Sequence, residues 1–211
     1  MKNSCYLPIA YWGPIQYFTK FLLYDKIFIE QYETYPKQTY RNRCNIYGPN
    51  GVQSLNVPVI KGSSKNILTK DITISYDMNW KINHLRSLES AYNSSPFYEF
   101  YIDDILQLYK KKYDTLIDFN LDILRLCFEW LQIDDDINLT TDFNLVVQGD
   151  DYRQNMHPKE NRNEFDGLFK QANYIQGFEQ RSGFIPNLSI LDLIFNTGPE
   201  ARIVVLNSYV E

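Results

Sequence analysis

An α/β fold, built on a mixed, mainly parallel sheet with flanking helices, is what this chain predicts, and three observations carry it. An apolar run at residues 4–9 is followed by a helical pattern and a second apolar run at 26–30, an order that closes as two parallel strands joined by a crossover helix. Three successive segments between about residues 79 and 131 keep helical spacing, which places a helical segment in the middle of the chain. Ile137–Thr141 then returns to strand character. At 211 residues the chain is long enough for one well-filled domain and short for two, so we expect a single domain over 1–211.

Ser4–Ile9 reads as a strand ended by Pro8, and Trp12-Gly13-Pro14 opens a helix to about Tyr24. Pro14 is expected at a first helical position, where its missing N–H costs nothing. Ile15, Phe18, Phe21 and Leu22 give this helix its buried stripe, and Lys26–Glu30 forms the second strand. The loop holding Tyr11 and Trp12 is a common ligand position, because helix N-termini favour anions. Val52–Ile60 alternates as a strand, Lys61–Lys65 is a loop and Ile72–Ser75 a short strand.

Asp77 is placed to cap a helix from Trp80 to about Tyr92, with Met78, Ile82, Leu85, Leu88 and Tyr92 as its apolar face and Trp80 and His84 at the border. Helices at Phe97–Lys112 and Thr115–Leu131 follow, the second buried on more than one face. Asp134-Asp135-Asp136 is a solvated turn, and no metal site is expected. From Gln148 to Gln171 the periodicity disappears, leaving a long loop of the kind that often carries function. Tyr174–Phe178 is a strand candidate. Asn187 or Ser189 caps a last helix, with Asp192 set for a capping box, and Asn196-Thr197-Gly198-Pro199 stops it.

Composition narrows the function classes. A net charge of -5 and a pI near 5.1 exclude a broad basic face of the kind that grips nucleic-acid backbones. No stretch is long and apolar enough to span a bilayer, and the first residues lack a signal peptide's pattern, so a cytoplasmic protein is expected. Cys5, Cys44 and Cys127 form neither a disulfide framework nor a zinc pattern. Cys127 belongs to the core; Cys44, nearest to cations, is the one thiol whose pKa they could lower. Phosphate-binding glycine loops and the common hydrolase and metalloprotease signatures are absent, and the sequence names no cofactor.

Against that acidic background, Pro36-Lys37-Gln38-Thr39-Tyr40-Arg41-Asn42-Arg43 packs three cations and two amides into eight residues, then meets a turn at Gly48-Pro49-Asn50-Gly51. If extended, it sets Lys37, Thr39, Arg41 and Arg43 on one side. Such a row suits the phosphates of a nucleotide or nucleotide sugar, through forked guanidinium donors and a mobile ammonium. It equally describes a charged strand edge that keeps other chains from pairing.

Lys37-Gln38-x-x-Arg41-Asn42-Arg43, the later Asn50-Gly51 with Leu55-x-Val57-Pro58-Val59, and Gly183-Phe184-Ile185-Pro186-Asn187-Leu188-Ser189-Ile190-Leu191-Asp192 resemble, in order, the motifs of the WbqC-like family. Trp80-x-x-x-His84 with Ala91-Tyr92, and Asp151-Tyr152-Arg153 followed by Pro158-Lys159, are similar to it as well. That bacterial family is associated with gene clusters for O-antigen and other surface polysaccharides, and the resemblance implies a transferase, including one that moves glycine to a sugar. Relatives often carry His-Gln-Pro-Asn before Tyr-Leu-Pro. Here Lys2-Asn3-Ser4-Cys5 precede Tyr6-Leu7-Pro8, so no catalytic histidine is carried over to the first strand.

The expectation is a site gathering Tyr11, Lys37, Gln38, Arg41, Asn42 and Arg43 around phosphate or substrate, with Tyr152, Arg153 and Lys159 from the long loop and Asn187 from the last helix start. His84, or secondarily His157, would act as base, imidazole being the side chain that titrates nearest neutrality; a helix-edge histidine that fixes packing is the other reading of His84. Two functions follow. One is acyl or aminoacyl transfer to a nucleotide- or lipid-linked sugar in surface-polysaccharide biosynthesis; the other is a non-catalytic sugar-phosphate-binding or assembly protein of the same pathway.

Overall fold

The computed structural model describes residues 2–60, 66–134, 136–159 and 166–210. The loop expected at Lys61–Lys65 lies outside them, as do Asp135 and residues 160–165 of the long loop.

Two apolar strands separated by one helix do pair in parallel. β1 (Lys2–Pro8) and β2 (Tyr24–Glu30) align Cys5 with Ile27 and Leu7 with Ile29, all four buried, across the crossover helix α1 (Ile15–Leu23). Alternation puts Ser4, Tyr6, Lys26 and Phe28 on the other face, which is only partly covered. There Tyr6 and Phe28 stack at 4.9 Å. β7 (Ile137–Leu139) adds beside β2, and β8 (Asp150–Asp151) beside β1, giving the all-parallel order β7-β2-β1-β8. The chain thus builds outward on one side of β1 and returns to the other, a reversal that opens a crevice at the carboxyl ends of the strands.

Two small antiparallel sheets complete the mixed architecture. β3 (Arg43–Gly48) and β4 (Gly51–Asn56) form a hairpin whose expected turn relies on Gly51 at φ 100. β5 (Val59–Ile60) pairs with β6 (Thr73–Ile74). The single strand expected over Val52–Ile60 is therefore broken at Val57-Pro58: Val57 N–H turns away to Asn42 O at 2.8 Å, and Pro58 has no N–H for a ladder.

α2 (Trp80–Tyr92) has the expected ends, and Leu88 and Tyr92 of its expected face are buried with Leu85 packed against the core, but the inward face is rotated toward Trp80 and His84. Trp80, His84, Leu88, Ala91 and Tyr92 face inward, while Met78 and Ile82 stand 68% and 48% exposed. Aromatic area decides the rotation, because Trp80 packs against His84, Tyr109 and Phe119. Asp77 does not cap this helix; its carboxylate accepts from Ser75 Oγ, and Asn79 holds the cap position. α3 (Tyr98–Lys110) and α4 (Leu116–Leu131) follow as expected, α4 starting at Thr115, whose Oγ1 accepts from Asp118 N. Cys127 is core.

The C-terminal region differs more. Tyr174–Phe178 is not a strand, because its polar groups are used laterally: Tyr174 and Gln176 both reach Asp192, and Gln176 also takes the Ile185 backbone. After α5 (Glu179–Ser182), Ser189 caps α6 (Ile190–Thr197) through Leu191 N. Asp192 makes no capping box; it is buried and accepts from Tyr92 and Tyr174 hydroxyls at 2.8 and 2.6 Å. Gly198-Pro199 ends α6 as expected, but the chain restarts as α7 (Ala201–Asn207). Buried apolar residues from Cys5 to Val205 join in one core cluster.

Candidate functional site

The basic motif is turned, not extended, over residues 37–42, with Gln38 at φ 62. Its side chains consequently do not share one edge: Lys37 and Gln38 are exposed, Thr39 and Arg41 are buried, and Arg43 is half-buried. Arg41 finds its anion inside the protein. Nε and Nη2 donate to the two oxygens of Glu33 at 2.5 and 2.7 Å, and Nη2 also donates to Arg153 O at 2.9 Å. Burial raises the pKa of Glu33, while the charge and hydrogen bonds of Arg41 pull it back.

Arg153, at the carboxyl end of β8, is committed in the same way. It donates to both oxygens of Asp151, to Glu30 at 2.9 Å and to Asn144 O, and Thr140 donates to the second oxygen of Glu30. Burial works to raise the pKa of Asp151, but Arg153 outweighs it and holds the carboxylate below its ordinary range. Two guanidiniums and three carboxylates so form two ion-paired clusters at the ends of β2 and β8, joined by the hydrogen bond from Arg41 to the Arg153 backbone.

Arg43 is the exception within the motif. Among the described residues it makes no salt bridge or hydrogen bond through its side chain, and its Nε is buried without a partner. The Tyr35 hydroxyl is likewise buried and unpartnered. Burial pushes that phenol up to about 12, and the nearby charges of Arg41 and Arg43 oppose the rise. A desolvated donor and a neighbouring hydroxyl with nothing to bind are a destabilising arrangement that an incoming acceptor would relieve.

His84 sits one strand away. Its Nε2 meets Asn56 O at 3.1 Å, and Asn56 is the β4 residue registered with Arg43. A carbonyl only accepts, so Nε2 carries the proton and Nδ1 accepts from Tyr11 O–H at 2.7 Å. Tyr11 in turn accepts from the Tyr109 hydroxyl, and Tyr109 from Trp12 Nε1 at 3.1 Å. Every member has its partner, and burial drives the His84 pKa down to about 4, so the ring is neutral at neutral pH. Tyr11 N–H also donates to Tyr40 O, tying this relay to the basic motif.

The other expected residues fall elsewhere. The anion position at the start of α1 is filled by the chain: Ile15 N donates to Leu188 O and Gln16 N to Asn187 Oδ1, each at 3.0 Å. Pro14 precedes this helix as its extended N-cap instead of occupying its first turn. Asn187, at φ 56, is thus a cap supplied from 171 residues away. Asn42 braces the hairpin through Val57 O. The Tyr152 hydroxyl meets that of Tyr24, and its ring lies under Lys20 Nζ. His157, partly exposed, accepts from Lys159 N through Nδ1. Cys44 is fully buried and its thiol pKa is raised by that burial, opposite to the effect expected from neighbouring cations.

Sequence reasoning missed Glu30, Glu33, Thr140 and Tyr109. Glu30-x-x-Glu33 ahead of the cationic motif was the available signal, an acidic pair on which the guanidiniums close. Beside this network, a crevice of about 160 Å³ at the carboxyl end of the sheet is lined by Tyr6, Phe28, Glu30, Asp142, Asn144 and Arg153, among others.

The fold and site define an α/β protein whose short parallel sheet is closed at its carboxyl edge by a buried carboxylate–guanidinium network. The chain belongs to the WbqC-like protein family, whose model matches residues 4–165. It is similar to an uncharacterized protein, Rv1507c, of Mycobacterium tuberculosis, with 25% identity over an alignment covering 94% of this chain and 93% of that one. No solved structure matches it. Among the described residues, no helix is long and apolar enough to cross a membrane.

Proposed function

We propose that this protein binds a sugar phosphate, nucleotide-linked or lipid-linked, as a cytoplasmic component of bacterial surface-polysaccharide biosynthesis, and that residues 1–211 act as one domain. The carrying observation is Arg43: among the described residues its guanidinium has no carboxylate partner and its Nε is buried without an acceptor, and the Tyr35 hydroxyl, which feels its charge, is buried without a partner too. Lys37, exposed at the start of the same turn, supplies a second, mobile charge. Arg41, two residues before Arg43, is held by Glu33 and by the Arg153 backbone, which fixes the turn that leads into Arg43.

Acyl or aminoacyl transfer to the bound sugar is the second reading, and the crevice favours it. Ligands of open α/β sheets lie at the carboxyl ends of the strands, and this crevice combines the Tyr6 and Phe28 rings with Glu30, Asp142 and Asn144. In that reading His157, partly exposed, is the more accessible base, His84 being enclosed.

Thermal unfolding with nucleotide sugars, sugar phosphates and neutral sugars tests the binding. A ligand at a hundred times its Kd adds about 2.7 kcal/mol, or roughly 5–10 °C for a domain of this size. The shift is expected with phosphorylated sugars and lost in Arg43→Met and Tyr35→Phe. A shift that survives Arg43→Met, or none with any phosphorylated sugar, refutes the proposal. A mass increase on the sugar in the presence of an activated acyl donor separates transfer from binding.

A further inference from the structure

Cys5, Leu7, Ile27 and Ile29 fill the core face of the parallel sheet. On its other face the register sets Asn138, Phe28, Tyr6 and Asp151 in one row across the four strands, with Glu30 two residues beyond Phe28 and Ser4 two before Tyr6. The chain must cross the sheet between β7 at one edge and β8 at the other, and it does so over residues 140–149 without a helix. Its fastenings show on which face it crosses: Thr140 Oγ1 donates to Glu30, Arg153 Nη1 donates to Asn144 O, and Ser4 Oγ donates to Gln148 O. Glu30 and Ser4 both belong to the face turned away from the core. Residues 140–149 are therefore a strap over that face. The crevice of about 160 Å³ lies between strap and sheet, with Tyr6 and Phe28 from the sheet and Asp142, Asn144 and Val147 from the strap.

The chemistry of the walls selects the ligand. Tyr6 and Phe28 stack on each other, and the Arg153 guanidinium lies over the Tyr6 ring at 5.8 Å. Phe28 has no second aromatic or cationic neighbour among the described residues, so its ring is the aromatic surface that the crevice offers. Glu30 and Arg153 answer one another and are further satisfied by Thr140, Asp151 and Asn144, which leaves neither charge for a ligand. The Asp142 carboxylate is exposed and, among the described residues, receives only Asn144 Nδ2 at 3.2 Å and Thr141 Oγ1 at 3.4 Å. An anion would meet Glu30 and Asp142 in this space, and a cation would meet Arg153; a neutral donor of hydrogen bonds meets neither repulsion. At about 160 Å³ the crevice is smaller than the ~300–1,000 Å³ pockets that hold drug-sized ligands, so it takes a single ring. We propose that the crevice binds the pyranose ring of an uncharged sugar unit, one C–H face laid on Phe28 and two adjacent hydroxyls donating to the Asp142 carboxylate. In this role the crevice depends on the reading that the protein acts on sugars, and it adds to the Arg43 position a place for a unit that carries no phosphate.

Saturation-transfer NMR and amide chemical-shift titration on the full chain test this with methyl glycosides of hexoses and N-acetylhexosamines, and with uridine, adenosine and guanosine as flat rings of another class. At least one glycoside is expected to bind in the millimolar range, with saturation concentrated on the C–H protons of one ring face. Asp142→Ala is expected to raise that dissociation constant at least tenfold, and Phe28→Leu at least fivefold. Asp142 is exposed, so an unchanged melting temperature will show that the fold persists. No glycoside bound, binding indifferent to Asp142 and Phe28, or nucleosides bound in place of glycosides would overturn the proposal. These probes carry no phosphate, so the two positions fail separately. Phosphorylated sugars that raise the melting temperature through Arg43, with no glycoside bound, would leave the Arg43 site standing and remove this one; glycosides bound through Asp142, with no response to phosphorylated sugars through Arg43, would do the reverse.

Discussion

Replacing Arg41 with Met tests whether the basic motif is, at its centre, a buried structural clamp. Arg41 and Glu33 are 1% and 2% exposed, and the guanidinium satisfies both carboxylate oxygens. Without it, Glu33 retains, among the described residues, only Thr69 Oγ1 and Gln154 Nε2, each at 3.3 Å. Breaking a buried pair from one side costs about 3–5 kcal/mol, because the other charge stays buried. For a domain of this length that lowers Tm by roughly 6–20 °C. The deficit should depend on pH with a definite sign. Removing Arg41 takes away the charge that restrains the Glu33 pKa, so the folded value climbs further above the unfolded one, about 4.3. The penalty belongs to the ionised form: it is complete above the folded pKa and shrinks as pH falls toward the unfolded value. Denaturant unfolding at pH 8 and pH 5 measures both quantities. Arg41→Met combined with Glu33→Met should lose at least about 2 kcal/mol less than the two single losses summed. A loss below about 1 kcal/mol, or one equal at both pH values, would refute the account of Arg41 as a clamp and return it to the ligand.

Two further expectations concern buried titratable groups. His84, held near 4 against an unfolded value of about 6.5, destabilises the fold as pH falls between those values by up to about 3 kcal/mol; His84→Gln should flatten that slope, and ring NMR should show a neutral imidazole at pH 6. All three cysteines are free and buried, with thiol pKa values raised by burial, Cys5 to about 12. None should react with a disulfide reagent in the native protein, and all three should react once it is unfolded; rapid native labelling at Cys44 would contradict the structure.

The elements that were legible in the sequence are those whose signals are local. The helices near residues 80–92, 98–110 and 116–131 declared themselves by spacing, and the parallel β1/β2 pair by its order around α1. What was not legible depended on partners far along the chain. Arg41 reads as a free cation until Glu33 and Arg153 are brought to it. Asp192 reads as a cap until Tyr92 and Tyr174 arrive from other segments. Leu88 and Tyr92 keep the expected stripe buried, yet at its first turns α2 is rotated so that Trp80 and His84 face inward and Met78 and Ile82 do not, because Tyr109 and Phe119 pack against Trp80. Arg43 differs from Arg41 for a reason that spacing did not contain: among the described residues, no side chain answers its guanidinium.

The cap on α1 has an implication for how this protein can be divided. The family pattern ends at residue 165, but Asn187 and Leu188 receive the first N–H groups of α1, and Asp192 anchors Tyr92 of α2. A chain cut at the end of the family pattern would leave these donors facing solvent or bare apolar surface, beside the open flank where α6 had packed. Evolutionary recognisability and physical autonomy therefore have different borders here, and any functional dissection by truncation must respect the second.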